Sequence, residues 1–468
     1  MDAGFFNYDI LPTFDSVRNS GRLLGTWDFV ASETSVAEDN SHGMHCLSTI
    51  AANIPGVFVG TAPYSSFYLF RTEDVASEYP IEEHNFSVGA ERADSLGVDL
   101  CSTSLGYYSF DNAQFNHTYN DMNGNTTMSA RATDIAASKG MLMVAAAGNE
   151  GNSSWRFLIT PSDADSAFAI GAVDTLGRVA GFSSYGPSSD GQIKPSVAAV
   201  GWNAVVANGF SGLPNYSSGT SFACPNMAGI TTCLWQAFPE ANNIEIMRTL
   251  EAAANNFNTP DDRVGYGIPD AKKAFVMLQK KYFTQQANFD QCKANIQFSV
   301  KTDNTMSIDI ERKFAGEAVY STITTLQNPA AYGMHNFEYA DDLAGTNYAS
   351  VQYRLKMIIG ADTSYYLDSA TVNYQNPCTV QPVNENSILI TPNPVSDQLS
   401  VNVTRIASSK IEIILQNAAG QRVYSSSYQQ QAGNLVKKIN MNGYSRGIYF
   451  VTVFANNEKL VTKKILKQ

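Results

Sequence analysis

The sequence predicts an α/β domain with a largely parallel sheet, followed by two β-rich modules. Three observations lead to this prediction. Residues 1–282 alternate apolar, strand-like runs with helix-like periods, whereas the rest of the chain alternates polar and apolar residues without a helical period. The length of 468 residues also exceeds what one hydrophobic core usually holds. We therefore expect a first domain over residues 1–282, a β-sandwich over 283–380 and a second β-sandwich over 387–468.

Helix-then-strand pairs carry the prediction for the first domain. Residues 82–96 read as a helix that leads into a strand over 98–103, and residues 130–138 read as a helix that leads into a strand over 141–146. A further helix opens near Thr220 and has apolar residues at spacings of three to four, which is one apolar face. The residues of that face are Met227, Ile230, Leu234 and Trp235.

The β-rich modules are predicted from strand-like segments. Residues 296–300, 306–310 and 351–358 alternate in the manner of half-buried strands. A short linker over residues 381–386 leads to the last module, which opens with the β-rich segment 388–394.

Charge and hydropathy exclude two classes of partner. The net charge is −12, and residues 381–468 carry an excess of lysine and arginine, so the rest of the chain is strongly acidic. An acidic body repels nucleic acid, so we expect no nucleic-acid partner. No stretch approaches about 18 uninterrupted apolar residues, so we expect no membrane span.

Cysteines and the N-terminus bear on the compartment. Four cysteines lie in apolar stretches of the first domain and are predicted to be buried free thiols: Cys46, Cys101, Cys224 and Cys233. Cys292 and Cys378 bracket a separate segment and could form a disulfide if the protein is exported. Met1 is followed at once by Asp2, without the regions of a signal peptide, so an exported protein is expected to have further sequence upstream.

The strongest local signal is a loop of small residues around Ser221. Residues 217–225 read Ser-Ser-Gly-Thr-Ser-Phe-Ala-Cys-Pro and run into the helix predicted near Thr220. A serine at a helix N-terminus lies at the positive end of the helix dipole, which favours a developing anion. The alternative is that the serine only caps the helix.

A second signal is His42, which opens a run of small and apolar residues that continues to residue 52. A histidine in such a position can be held in a tightly packed cleft and act as a general base. His42, His45 and Cys46 could instead bind a metal ion, although no second ligand cluster follows at a usual spacing.

Two further polar residues complete the set. Asn149 follows an apolar run, flanked by glycine, where its amide could donate to an oxyanion; the alternative is an ordinary turn asparagine. Asp2 is followed by small residues and could supply the carboxylate that orients an imidazole.

The order Asp, His, Asn, Ser and the motifs around these residues resemble the subtilisin-like serine peptidase family. The family's aspartate motif is similar to Asp-Ala-Gly at residues 2–4, and its histidine motif to His-Gly-Met-His-Cys at 42–46. Its asparagine strand resembles Ala-Ala-Gly-Asn at 146–149, and its serine motif Gly-Thr-Ser-Phe-Ala-Cys-Pro at 219–225. The resemblance covers about residues 1–280 and implies a three-layer domain.

The resemblance implies a secreted serine endopeptidase that acts on protein or peptide substrates. Ser221 is then the nucleophile, His42 the general base, Asp2 its orienting carboxylate and Asn149 an oxyanion donor. The implied substrate-binding residues are Ser104, Leu105, Gly106, Ala147 and Gly148. The resemblance implies no certain cofactor and leaves structural calcium open. It also implies that a strand and a propeptide precede Asp2.

The last module resembles the C-terminal sorting domain of proteins exported by the type IX secretion system. The similar segments are Ile-Thr-Pro-Asn-Pro at residues 390–394, Gly-Ile-Tyr-Phe-Val at 447–451 and Lys-Lys-Ile-Leu-Lys at 463–467. This implies the type IX secretion machinery as a partner and a secreted or cell-surface location. The alternative is a plain β-sandwich accessory domain. The middle module, with Tyr-Arg-Leu-Lys at 353–356, looks similar to fibronectin-type modules.

Two other functions stay open at this point. The chain could be a catalytically impaired or truncated relic that acts as a surface binding or adhesion protein, because the family's strand before Asp2 is missing and two β modules follow. Metal-dependent hydrolysis through His42 and His45 is the other.

Overall fold

The structure is a computed structural model of the chain. It describes residues 1–37, 40–360, 363–374, 387–405, 407–431 and 433–468. The predicted linker over residues 381–386 and Cys378 lie outside the described residues.

The first part of the chain alternates helices and short strands, as the sequence predicts. Its helices are α1 (Asp15–Asn19), α2 (His42–Ala51), α3 (Ile81–Ser95), α4 (Met128–Ser138), α5 (Thr220–Ala237), α6 (Asn243–Ala253) and α7 (Ala271–Tyr282). Its strands are β1 (Leu23–Asp28), β2 (Asn53–Ile54), β3 (Phe58–Val59), β4 (Phe67–Arg71), β5 (Leu100–Thr103), β6 (Leu142–Ala146), β7 (Phe168–Val173), β8 (Val197–Val200), β9 (Ala204–Ala207) and β10 (Pro214–Ser217).

A four-stranded parallel sheet, in the order β5-β6-β7-β8, forms the centre of this region. Strand β6 is buried on both faces, and its residues alternate between two hydrophobic clusters. Val144 packs in the cluster that includes residues of α5 and α6, whereas Met143 packs in the cluster that includes residues of α3 and α4. Helices therefore cover both faces of a parallel sheet, which confirms the predicted three-layer α/β fold.

The first residues of the chain lie between two sheets. The amide of Asp2 donates to the carbonyl of Phe70 at 3.0 Å, and the amide of Thr72 donates to the carbonyl of Asp2 at 3.1 Å, next to the parallel pair β1-β4. On the other side, the amino nitrogen of Met1 donates to the carbonyl of Ser102 in β5 at 2.9 Å. Asp2 is thereby held in register by backbone hydrogen bonds.

The rest of the described chain forms two pairs of antiparallel sheets. The middle strands are β11 (Thr284–Asp290), β12 (Lys293–Thr302), β13 (Met306–Phe314), β14 (Ser321–Leu326), β15 (Gly333–Asp342), β16 (Ser350–Ile359) and β17 (Thr363–Asn373). The last strands are β18 (Ser387–Thr391), β19 (Gln398–Arg405), β20 (Ser409–Asn417), β21 (Arg422–Gln430), β22 (Gly433–Asn440), β23 (Gly447–Ala455) and β24 (Glu458–Lys467).

Each of these two regions has its own core. Sheet β11-β12-β15 and sheet β14-β13-β16-β17 enclose one hydrophobic cluster, and sheet β18-β19-β22 and sheet β21-β20-β23-β24 enclose another. Two antiparallel sheets around a common core make a β-sandwich, so the predicted pair of β-sandwich modules is confirmed. The residue boundaries of the three domains stay predictions.

Lys301 of β12 joins the middle module to the end of helix α5. Its Nζ donates to the carbonyl of Ala237, the last residue of α5, at 2.8 Å and pairs with Glu240 at 2.7 Å. The hydroxyl of Tyr332 donates to the same carbonyl at 3.3 Å. The last carbonyls of a helix lack partners within the helix and carry its negative dipole end, so a buried ammonium is favourable there. The middle module therefore caps the helix that begins next to Ser221.

We expect Lys301→Met to lower the free energy of unfolding by about 1–3 kcal/mol. The substitution removes a charged hydrogen bond at the end of α5, and the Lys301 side chain that makes this bond is only 7% exposed. Urea unfolding followed by circular dichroism measures the effect. Lys272→Met is the control, since exposed Lys272 reaches across the same junction to the hydroxyl of Thr363 through a long contact of 3.4 Å. Unchanged unfolding of the Lys301 variant would contradict the capping role.

Of the four cysteines predicted to be buried free thiols, three are confirmed and one is not. Cys46, Cys101 and Cys224 are free and buried, as predicted. Cys233 is free but exposed, so the prediction of burial is wrong there, because position 233 falls with Gln236 on the outer face of α5. Cys292 is disulfide-bonded. Because Cys378 lies outside the described residues, its pairing with Cys292 stays a prediction.

Candidate active site

A carboxylate and an imidazole meet where helix α2 begins. Oδ1 of Asp2 lies 2.6 Å from Nδ1 of His42, the first residue of α2. The Asp2 side chain is 3% exposed and the His42 side chain 32%, so the carboxylate is shielded while the ring still reaches solvent. A hydrogen bond at Nδ1 leaves Nε2 as the nitrogen that can accept a proton.

Glycine at position 43 permits this close approach. A Cβ on Gly43 would lie 2.5 Å from the carbonyl oxygen of Gly4 and 2.7 Å from Cβ of Asp2. The amide of His42 is also fixed, since it donates to Oδ1 of Asn40 at 2.7 Å. The residue after the histidine must therefore lack a side chain for the carboxylate to reach the ring.

The surroundings raise the pKa of His42 well above 6.5. Burial acts to lower this pKa, but the charge of Asp2 and the hydrogen bond to it outweigh burial. Cys46, whose Sγ lies 3.9 Å from Nδ1, contributes little at neutral pH, because burial and Asp2 raise the pKa of its thiol and keep it protonated. The imidazole therefore binds its proton tightly in the free protein.

Ser221 lies in the first turn of helix α5, beside the imidazole. The ring of its neighbour Phe222 lies 5.9 Å from the ring of His42. The Ser221 carbonyl accepts from the hydroxyl of Ser104 at 2.8 Å and from Sγ of Cys46 at 3.2 Å. Its own hydroxyl donates to the carbonyl of Ser104 at 3.4 Å. Because a hydroxyl donates to one acceptor at a time, donation to His42 requires that it leave this carbonyl.

The hydrogen bonds of Asn149 fix the direction of its amide. The backbone amide of Thr220 donates to Oδ1 of Asn149 at 2.8 Å, and the Thr220 hydroxyl donates to the same oxygen at 3.1 Å. A backbone amide can only donate, so the oxygen of Asn149 must face helix α5. Asn149 also lines the cleft that contains Ser221. Its Nδ2, the donor, is therefore the end directed away from the helix.

The cleft has a volume of about 460 Å³, and most of the predicted substrate-binding residues line it. Ser104, Leu105, Gly106 and Gly148 line it together with Ser221. Ala147 is fully buried, and its backbone amide donates to the carbonyl of Ile170 in the sheet. Ala146 lines the cleft in its place, because side chains alternate along the end of a strand.

One wall of the cleft is acidic, which the sequence reasoning missed. The carboxylates that line it are Glu73, Asp74, Glu78, Glu82 and Asp111. Burial raises the pKa of Glu73 to about 7, against hydrogen bonds from Tyr107 and Thr72. Burial and the charge of Glu73 raise the pKa of Glu82 to about 8. Five acidic residues between positions 73 and 83 were the available signal in the sequence.

These two carboxyls should make stability depend on pH. A glutamate in the unfolded chain titrates near 4.3, so the folded protein binds more protons and loses stability as pH rises from there through about 8. We expect the melting temperature of the double variant Glu73→Gln, Glu82→Gln to fall less between pH 5.5 and pH 9 than that of the wild type.

Thermal unfolding at several pH values measures the effect, with exposed Glu91→Gln as the control that keeps the wild-type dependence. A double variant with the wild-type dependence would show that these carboxyls are ionised in the folded protein at neutral pH.

A metal ion is poorly suited to this site. Among the described residues, one group of three potential ligands has its atoms within 4.8 Å of one another, and it comprises Asp2, His42 and Cys46 rather than His45. Cys46 keeps its proton, and the other two already bond each other directly. Calcium requires six to eight oxygen ligands, which this group lacks. Structural calcium elsewhere stays a prediction.

These features define the class of the molecule. It is a subtilisin-like α/β protein with a carboxylate–imidazole pair beside a serine in the first turn of a helix.

Comparison with known proteins gives the family. The sequence profile of the subtilase family matches residues 3–267, and the chain belongs to this family. The profile of the secretion system C-terminal sorting domain matches residues 389–468.

Several characterised peptidases are similar to the first domain. The thermophilic serine proteinase of Bacillus sp. (strain AK1) is 30% identical over 250 residues, which is 53% of this chain and 55% of the relative. Subtilisin BL of Lederbergia lenta is 30% identical over 269 residues, 57% of this chain and 88% of the relative. The chain thus spans about half the length of the first relative and most of the second. The structure of the prenylagaramide maturation protease PagA is 21% identical with a TM-score of 0.47, over 59% of this chain and 91% of that one.

The sorting domain gives the location. A chain that carries it is secreted or displayed at the cell surface. Of the helices that the structure describes, none has the length and apolar character needed to cross a membrane.

Proposed function

We propose that the protein is a secreted serine endopeptidase that hydrolyses peptide bonds through an acyl-enzyme on Ser221. The observation that carries this proposal is the 2.6 Å contact between Asp2 and His42 at the N-terminus of α2, next to the first turn of α5. A carboxylate, an imidazole and a serine hydroxyl in this order are the groups that acyl transfer requires.

In the proposed first step, Oγ of Ser221 attacks the peptide carbonyl and Nε2 of His42 takes its proton. Asp2 holds the proton of Nδ1, which keeps the ring in the tautomer with a free Nε2 and stabilises the imidazolium that forms. His42 then gives its proton to the leaving amine. Water then attacks the acyl-enzyme ester in the same way, with His42 again as the general base, and Ser221 is released.

The negative oxygen that forms during attack needs donors. The amide of Ser221, near the positive end of α5, is one, and Nδ2 of Asn149 is the other. Because Oδ1 of Asn149 is held by two donors of Thr220, the amide is already oriented before substrate binds. Substrate would lie extended beside residues 104–106 and pair with their backbone.

We expect Asn149→Ala to lower kcat by about 10²- to 10³-fold with little change in KM, because this donor acts on the transition state. That range was measured in a subtilisin. Steady-state kinetics on a peptide amide measure it, with exposed Asn152→Ala as the matched control. A large rise in KM at constant kcat would instead place Asn149 in ground-state binding.

One assay distinguishes the proposed function from the two alternatives, a metal-dependent hydrolase and a relic that only binds. The full chain is incubated with casein, with or without a fluorophosphonate or a chelator. A serine endopeptidase is stopped by the fluorophosphonate, whereas a metal hydrolase resists the fluorophosphonate and is stopped by the chelator. A relic that only binds shows no turnover in any condition. Against the relic, Asp2 is held by Phe70 and Thr72 within reach of His42.

The partners proposed are protein or peptide substrates and the type IX secretion machinery. The similarity to the sorting domain over residues 389–468 supports the second.

A further inference from the structure

The part of the cleft nearest Ser221 lies between two glycine-containing walls. Residues 104–106 form one wall, and Ala146 and Gly148 form the other. The positions that face each other, Gly106 and Gly148, have no side chains, so the space between the walls is open to a side chain from elsewhere.

Ile159 supplies that side chain. A Cβ on Gly106 would lie 2.6 Å from both Cγ1 and Cδ1 of Ile159, and a Cβ on Gly148 would lie 3.0 Å from Cγ1 and 3.2 Å from Cδ1. The same two carbons of Ile159 are therefore in contact with both walls. Ile159 is half-buried and lines the cleft with Ser221, so it occupies the floor between the walls.

The backbone holds Ile159 in this place. Its amide donates to the carbonyl of Ala147 on one wall at 3.3 Å. The carbonyl of its neighbour Thr160, which is buried, accepts at 2.8 Å from the amide of Tyr107, the residue that follows Gly106 of the other wall. The segment is tied to both walls, so it cannot move aside without breaking hydrogen bonds to them.

We propose that Ile159 closes this space to large side chains, and that the substrates are peptides with a small residue, glycine, alanine or serine, immediately before the bond that is cut. This inference rests on the proposed function. A long or aromatic side chain that enters between the walls must displace Ile159, whereas a methyl group stops above it. A single methylene of misfit in an apolar pocket changes kcat/KM by about 10- to 200-fold.

The test uses two peptide amides that differ only in alanine or phenylalanine before the scissile bond. We expect the wild type to prefer alanine by about 10²-fold or more in kcat/KM. Ile159→Ala should reduce this preference at least tenfold, by raising kcat/KM for the phenylalanine peptide. Ile135→Ala is the matched control, because Ile135 is 60% exposed on α4, and it should keep the wild-type preference.

A wild type that cuts both peptides equally well, or an Ile159 variant with an unchanged preference, overturns the inference while the proposed function stands. If neither peptide is cut, measurements of peptide binding distinguish the claim about the Ile159 pocket from the proposed function. Both peptides are then titrated into Ser221→Ala and into the double variant with Ile159→Ala, using calorimetry. If Ser221→Ala binds the alanine peptide more tightly than the phenylalanine peptide, and the double variant does not, the role of Ile159 in the pocket is supported while the proposed function is rejected. Equal binding in both proteins overturns the pocket as well.

Discussion

Replacement of Ser221 by alanine is expected to lower kcat for peptide hydrolysis by about 10⁶-fold, a loss of the size found in a subtilisin. Ser221 is the proposed nucleophile, and the other hydroxyl in the first turn of α5, that of Thr220, already donates to Oδ1 of Asn149 at 3.1 Å. The residual rate over water, about 10³- to 10⁴-fold, would come from the oxyanion donors and substrate binding. Steady-state kinetics on a peptide amide, with circular dichroism to verify folding, measure the change.

Ser218→Ala is the matched control for that change. Ser218 lies in the same loop, but its hydroxyl accepts from the amide of Asn203 at 3.0 Å and takes no part in the proposed chemistry. We expect its kcat to stay close to that of the wild type. Substantial activity of Ser221→Ala would mean that another group attacks the substrate.

Replacement of Asp2 by asparagine is expected to lower kcat by about 10⁴-fold, as in other serine peptidases. An amide can present an N–H to Nδ1 of His42, which favours the wrong tautomer, and it cannot stabilise the imidazolium. The change should also move the pH profile. His42 must be neutral to accept a proton, so wild-type kcat/KM rises with pH through a pKa well above 6.5. Without the charge of Asp2, this rise moves to lower pH.

The pH profile distinguishes this role from a purely structural one. Loss of folding would lower activity at every pH without moving the rise. Asp9→Asn, at an exposed position in the same segment, is the control and should keep both the rate and the profile of the wild type. A rise at the wild-type pH in Asp2→Asn would contradict the coupling of Asp2 to His42.

The sequence predicts the secondary structure where one period dominates. The helix expected over residues 82–96 is α3, Ile81–Ser95, and the strand expected over 141–146 is β6, Leu142–Ala146. The strand expected from residue 98 begins only at Leu100, because the amide of Val98 still donates to the carbonyl of Ala93 at the end of α3. Apolar character alone does not separate a helix end from a strand start.

The site is predictable only where its signal is local. His42, Asn149 and Ser221 stand in motifs of several residues, so the amino-acid sequence alone predicts each of them as a candidate site residue. The depth of the cleft is not predictable in this way, because it is set by Ile159, which lies 53 residues after Gly106 in the chain and reaches both walls only in the fold. The contact of Lys301 with the end of α5 is likewise not predictable from local sequence, because Lys301 belongs to a different module.

The position of Asp2 is the least expected part of the site. Its motif is short, with three residues at positions 2–4, so its register depends on backbone hydrogen bonds to Phe70 and Thr72. Those bonds form between segments that are far apart in sequence, and no periodicity in residues 1–4 indicates them.

Labelling with a fluorophosphonate, followed by mass spectrometry of the digested protein, tests the central claim most directly. The account predicts one adduct, on Ser221, formed faster as the pH rises through the raised pKa of His42 and slowed strongly in Asp2→Asn. Absence of an adduct on Ser221 in the folded full chain, or labelling of Ser221 at the same rate in Asp2→Asn, would contradict it.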